Sequence, residues 1–322
     1  MTLEAGQKVP TTQVLLSYWD WNSSEQTVDQ SVLLNKPIEL WLNDKYYGKI
    51  QLNTDEKGMG ELTASQTRQL INHAQNNTKI EFRLGKYQWQ ISDKGMAAIL
   101  LKLDEAQGRV GTPLALVSKN NTKRQNLKPA KAMPKIYAAK AYAIEEYRSS
   151  TGDDVKQSAE QKFYQRLSER FDRQWQSKMS AWVIPTLNEE ERYICEFLTS
   201  DQEWFDKDNK VWQFTPIDSK YTLASHPCWT AAYNSGSGYW LINNDKPNKP
   251  KLITLSGSDY SNGEVYSAYK GRGIGDCWSS KSWVWNGKTF VKTSEFSTGL
   301  CRLIEAGGAW QLPTYVSEVI KN

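Results

Sequence analysis

Trp283-Val284-Trp285-Asn286-Gly287-Lys288-Thr289-Phe290-Val291 reads as two β-strands folded back on one another about Asn286-Gly287. Asn and Gly both tolerate the positive φ that a tight turn between twisted strands demands, so this pair is the strongest hairpin signal in the chain. Outward from it, the same signature recurs in degenerate form. Cysteine-led strands are expected at Ile194-Cys195, Cys228-Trp229, Cys277-Trp278 and Leu300-Cys301. Each precedes a turn and a returning strand that opens on an aromatic: Trp212-Gln213-Phe214, Tyr239-Trp240-Leu241-Ile242, Trp283-Val284-Trp285 and Trp310-Gln311-Leu312. The turns fall at Asp206 to Asn209, Ser235-Gly236-Ser237-Gly238, a short Ser-rich loop and Gly307-Gly308. The spacing is irregular, which excludes a solenoid. A compact antiparallel sheet or small barrel is the expected outcome, occupying 191–322.

The four cysteines all lie in this half. They form no CxxC, and His73 and His226 are the only imidazoles, so a structural zinc site lacks its closely spaced ligand pairs. Two disulfides and an oxidising compartment are the alternative. The pairing expected is Cys195–Cys228 with Cys277–Cys301, one of three connectivities open to four cysteines.

Upstream, Phe163, Leu167, Phe171, Trp175 and Met179 recur at steps of four, the spacing of one helix face. A helix is expected from about Asp154 to Trp182, stopped by Pro185, with its stripe packed on its own domain rather than docked on a membrane. Before it, the segment from Ser118 to Lys140 holds seven basic residues and no acid, so the rest of the chain is net negative although the whole carries +4. With Tyr137 as its only aromatic it is not the interleaved basic face of a nucleic-acid binder. It reads as a solvated, protease-sensitive linker, with contact to an anionic surface such as membrane or cell-wall polymer as the alternative, and 118–190 as basic linker plus amphipathic helix.

Residues 1–117 read as a β-rich α+β domain with two helices. Val14 to Trp19, Ile38 to Leu42 and Lys49 to Asn53 are expected strands, with a turn at Gly58 and Gly60. Thr63 with Gln66 has the spacing of a capping box for the first helix. Lys79 to Leu84 and Tyr87 to Ile91 form a hairpin about Gly85-Lys86. Ser92 is the expected cap of a second helix through Met96, Ile99, Leu100 and Leu103, ending near Gly108.

The 322 residues have a mean hydropathy of −0.67 and contain no run near the roughly 20 apolar residues that cross a bilayer. The Met1-Thr2-Leu3-Glu4 start lacks the apolar core of a signal peptide. An exported protein of this sequence is therefore expected to be a mature form, its signal removed and a Met added.

Catalytic signatures are scarce. Gly271-Arg272-Gly273-Ile274-Gly275-Asp276 resembles a phosphate loop, but it runs into a strand where that chemistry needs a helix N-terminus. A rigid loop held by an Arg272–Asp276 contact is expected instead. His226 and Cys228 would share a strand face, yet a disulfide removes the thiolate that a Cys/His pair requires. GxSxG, HExxH and SxxK with its companion motifs are absent. Adjacent Asp104 and Glu105 diverge on a helix, and Glu105 is expected to pair with Arg109 four residues on. No metal ligand set and no cofactor motif emerges. Ten of the fourteen tryptophans lie from Trp175 onward, most of them expected in the core and a minority exposed.

Four strings resemble one family. They are Leu103 to Thr112 with Ala115-Leu116-Val117; Cys228-Trp229 with Ala232-Tyr233-Asn234; Gly271 to Cys277 followed by Trp283 to Phe290; and Cys301-Arg302 with Trp310 to Thr314. In that order they are similar to the domain of unknown function 1176 family, exported proteins of Gram-negative bacteria. The N-terminal half is also similar to the invasion-associated locus B proteins. The resemblance implies a periplasmic location and an architecture; it brings no catalytic residue. The function expected is therefore a non-catalytic envelope protein that binds a cell-wall polymer or another envelope protein, and no nucleic acid. Tyr233, Asn234, Tyr239, Trp240, Arg272 and Asp276 are the expected contact residues. The alternative is a cell-wall hydrolase using Asp276, Asp104 or Glu105 as acid or base, which needs two carboxylates facing each other across an open cleft.

Overall fold

The computed structural model describes residues 10–15, 36–53, 59–74, 76–117, 119, 132–142, 159–199, 212–302, 306–308 and 310–321. The chain divides into two compact units, Met1–Ala132 and Met133–Asn322. Several expectations lie outside the described residues: the strand beyond Leu15, the turn at Gly58, the centre of the basic segment, the helix start before Ala159 and the Asp206 to Asn209 turn.

The first unit is built on two antiparallel sheets. One orders β3 (Lys45–Ile50), β2 (Ile38–Leu42), β6 (Ile80–Leu84) and β7 (Tyr87–Ile91); the other orders β1 (Thr12–Leu15), β5 (Met59–Leu62) and β4 (Leu52–Asn53). Alternation sorts β2, with Ile38, Leu40 and Leu42 fully buried while Glu39 and Trp41 face outward. Its hairpin to β3 turns through Asn43 and Asp44, both at positive φ, a turn of the kind Asn and Asp tolerate. The β6–β7 hairpin forms about Gly85, as expected. Helix α1 (Ala64–His73) opens with the Thr63–Gln66 capping box, and the Gln66 amide also donates to the Tyr47 and Lys49 carbonyls, tying the helix to β3. Helix α2 (Met96–Ala106) starts differently from expectation. Gly95 at φ 83 precedes it without a side-chain cap, and the Ser92 hydroxyl instead accepts from the Lys94 amide.

The second unit has three layers. The middle one is an antiparallel sheet ordered β12 (Lys251–Gly257), β11 (Ser235–Asn243), β10 (Tyr221–Thr230) and β9 (Gln213–Pro216). Its first face packs Phe214, Ala224, Cys228, Trp240, Ile242 and Leu255 against Phe171, Trp175, Met179 and Val183 of the helices. These helices are α3 (Ala159–Trp175), α4 (Met179–Val183), α5 (Glu189–Ile194) and α6 (Glu196–Thr199). The opposite face packs Leu223, Tyr239 and Leu241 against Val265, Trp285 and Phe290 of an outer sheet. That sheet orders β13 (Asp259–Ser261), β14 (Glu264–Lys270), β15 (Trp278–Trp285), β16 (Phe290–Ser297) and β17 (Leu312–Val316).

Several sequence readings shift. The long helix breaks between Trp175 and Met179, and Pro185 sits in a 3-10 turn, Ile184–Thr186, after it. Ile194-Cys195 is not a strand: Asn188 and Glu191 form a capping box that opens α5, and Cys195 ends it. Leu300-Cys301 and Trp310 lie outside strands. The basic segment is not linker throughout, because β8 (Lys135–Ala138) pairs in parallel with β18 (Glu318–Lys321), and the Ala139 amide donates to the Trp285 carbonyl. The Asn286-Gly287 hairpin joins the strands expected of it, through a loop in which the Asn286 side chain accepts from the Lys288 and Thr289 amides and Gly287 takes φ 88. Both disulfides are as expected, Cys195–Cys228 and Cys277–Cys301.

Candidate functional site

Among the described residues of this unit, one face of the outer sheet is left uncovered around Tyr266, which is 42% exposed. Strand register lines Ala268, Ser280 and Phe296 side by side across β14, β15 and β16, with Tyr266 two residues from Ala268 and therefore on the same face. Lys270 pairs with Trp278 one step along, and the Trp278 amide donates to the Thr298 hydroxyl. The result is a groove of about 220 Å³ with a floor of small residues, Ala268 and Ser280. Tyr266, Phe296 and Trp278 wall it, and Gly307 and Gln311 close one side. Among the described residues no carboxylate lines it.

The end wall is fixed from behind. The Trp278 indole N–H donates to the Gly275 carbonyl at 2.8 Å, and the Gly307 amide donates to the same oxygen at 2.7 Å. Gly275 takes φ +70, and the Gly271 amide bonds the Cys277 carbonyl, so the glycine loop is a closed, rigid turn. Inside it Arg272 grips Asp276 with two bonds, Nε to Oδ1 at 2.8 Å and a terminal nitrogen to Oδ2 at 2.6 Å. The Asp276 side chain is 1% exposed and that of Arg272 39%. This pairing raises the already high pKa of the guanidinium. The Lys270 ammonium lies 5.6 Å from the centroid of the Trp278 ring and 5.9 Å from that of Tyr233. Tyr233 itself is 60% exposed and covers Gly273, where a Cβ would stand 2.8 Å from its ring.

The six expected contact residues separate accordingly. Tyr233 reaches solvent, Arg272 is half-exposed, and Asn234 is spent on the backbone, its amide donating to the Lys270 carbonyl and accepting from the Lys270 amide. Asp276 is buried in the loop. Tyr239 and Trp240 do not face solvent, because β11 is covered on both sides. Trp240 points to the helices and meets Trp212 edge-on at 5.1 Å, while Tyr239 points to the outer sheet. Burial, reinforced by the charge of Asp259, pushes the Tyr239 hydroxyl up to about 12. Sequence reading missed Tyr266, Lys270, Trp278 and Phe296. The alternation Val265/Ser267 inward against Tyr266/Ala268 outward on β14 was the signal available.

The catalytic candidates are otherwise engaged. Asp104 is buried and accepts the Leu116 and Val117 amides at 2.7 and 3.1 Å, a loop-anchoring role. Glu105 pairs with Lys102, not with Arg109, whose Nε donates to Gln107. The Arg109 guanidinium is buried, and desolvation lowers its pKa against the raising pull of Asp104. His226 is buried, with Nδ1 2.6 Å from the Pro227 carbonyl, and Cys228 is in a disulfide. Asp276, Cys277 and Cys301 cluster within 4.8 Å, but both sulfurs are disulfide-bonded and supply no thiolate to a metal.

Comparison with known proteins returns one match. A model of the family described as "Protein of unknown function (DUF1176)" aligns with residues 10–317. No curated protein and no solved structure matches, and none of the comparisons returns the invasion-associated locus B proteins. No described helix is long and apolar enough to cross a membrane.

Proposed function

The chain belongs to the DUF1176 family, and on that footing we propose that it is an exported, non-catalytic protein of the bacterial envelope that binds a cell-wall polymer along the outer sheet. The observation that carries this reading is the groove itself. Three aromatic side chains stand around a floor of Ala268 and Ser280, on a sheet face that no described helix or second sheet of this unit covers. Aromatic faces attract C–H bonds through their negative quadrupole, and the apolar faces of sugar rings present such bonds. The hydroxyls of Ser280 and Thr298 and the amide of Gln311 supply the polar contacts that orient such a chain. Two disulfides agree with folding in an oxidising compartment, and the periplasm is the location proposed. The hydrolase alternative loses ground because Asp104 and Asp276 are both committed to internal bonds.

Co-sedimentation with purified cell-wall sacculi tests this. The wild type is expected to pellet with them, and the double substitution Tyr266→Ala and Phe296→Ala to remain in the supernatant with its melting temperature nearly unchanged. Absence of wild-type binding, or equal binding by a folded double variant, overturns the reading.

A further inference from the structure

Resting on that reading of the groove, we infer that its ligand is acidic: a glycan carrying carboxylates, with one carboxylate placed at the Trp278 end beside Lys270. Charge is distributed unevenly around the site. Nearby Arg272 is neutralised by Asp276, and farther along the sheet Lys281 and Lys292 both serve Glu295. Among the described residues no ion pair holds Lys270. Its ammonium is kept beside the Trp278 ring, which forms the groove's end wall, and among the described residues no carboxylate lines the groove to compete for it.

The position is also well held. Both backbone polar groups of Lys270 bond the Asn234 side chain, and Tyr233 and Trp278 flank the ammonium. Two aromatic faces favour a cation between them and restrict where the stem can go, so little rotamer freedom remains to be lost on binding. A strongly hydrated ammonium acts as a point charge toward an anion. A sugar ring stacked against Trp278 therefore brings a carboxylate substituent within its reach, whereas a neutral ring leaves that charge facing water. The groove accepts both kinds of chain by stacking and prefers the acidic one.

Polygalacturonate and its fully methyl-esterified form share a backbone and differ in charge, so they serve as probes in isothermal titration or affinity electrophoresis of the full chain. The acid is expected to bind about five-fold more tightly than the ester at low salt, the scale of one exposed ion pair. That preference should fall with added salt, vanish in Lys270→Met and return in Lys270→Arg. Equal binding of acid and ester, or a preference that survives in Lys270→Met, overturns the acidic assignment while sacculus binding keeps the groove reading intact. Failure of both polymers, with sacculi still bound, also rejects the carboxylated glycan. Failure of sacculi as well rejects the groove.

Discussion

The middle and outer sheets of the second unit each carry a disulfide, and they use it in opposite ways. Cys195 and Cys228 are fully buried, inside the cluster that joins helices α3 to α6 to the middle sheet beside Trp240. Cys277 is buried but Cys301 is exposed, and their bridge ties Cys301 to the end of the glycine loop behind the groove. The middle sheet is sandwiched and spends every aromatic on packing. The outer sheet packs one face and, among the described residues of this unit, keeps the other open. In one molecule, the same covalent device thus serves a core in one place and a surface in the other.

The largest effect should separate the two bridges. Their sequence separations of 33 and 24 residues give nearly equal chain-entropy contributions, about 3.5 kcal/mol each. Burial then decides. Cys195→Ala with Cys228→Ala also leaves a void beside Trp240 and should cost roughly 5 kcal/mol in chemical denaturation. Cys277→Ala with Cys301→Ala should cost roughly 3 kcal/mol, with loss of groove binding. Under a mild dithiol, mass mapping should find Cys277 and Cys301 alkylated first. Equal costs and simultaneous labelling would erase the distinction.

A second contrast concerns alkali. Tyr239 ionises near 10 in the unfolded chain and about 12 in the fold, so the folded state holds its proton longer. The stabilisation is complete below pH 10 and is lost as the pH rises to about 12. Wild type should lose about 2 to 3 kcal/mol more than Tyr239→Phe across that window. Equal alkaline sensitivity of the two proteins would show that the hydroxyl is not sealed between the sheets.

What could be read in the sequence follows the same division. The Asn286-Gly287 hairpin and the Thr63–Gln66 cap are local patterns found at their places, and of the 163–179 stripe Phe171, Trp175 and Met179 are buried together while Phe163 is not. Tyr239 and Trp240 were misplaced because adjacent strand residues point to opposite faces, and exposure of one of them is the ordinary outcome. Only a sheet covered on both sides buries both, and that covering comes from residues as distant as Trp175 and Val265. The groove was hidden for a related reason. Ala268, Ser280 and Phe296 become neighbours through register across three strands, which no local window contains. By contrast, the Asn188–Glu191 capping box was present in the sequence, and it marks a helix where a strand was expected.

The glycine loop offers a smaller effect. Asp276→Asn keeps the shape of the carboxylate but removes its charge, weakening two charge-assisted bonds to Arg272. Because Arg272 is half-exposed, water can take over part of its coordination, and the cost should stay near 2 kcal/mol in thermal or chemical unfolding. A loop that serves only to hold the end wall should lose stability and groove binding together. Binding lost at unchanged melting temperature would instead make Asp276 part of the binding surface.

The smallest effect is expected at the outer end of helix α3. Its stripe does not meet the core uniformly: Phe171 and Trp175 are buried and stacked at 3.9 Å, Leu167 is partly covered, and Phe163 is 53% exposed. A ring that keeps half its surface in water loses little transfer free energy when truncated, and no closed cavity forms behind it. Phe163→Ala should therefore cost within about 1 kcal/mol, against about 4 kcal/mol for Phe171→Ala, measured as the shift in unfolding free energy. The contrast also tests what the helix is for. If Phe163→Ala leaves both stability and sacculus binding unchanged, the helix serves to cover the middle sheet, and polymer contact belongs to the open face of the outer one. A loss of sacculus binding in a stable Phe163→Ala protein would move the contact surface to the helical side and reverse the assignment of the two faces.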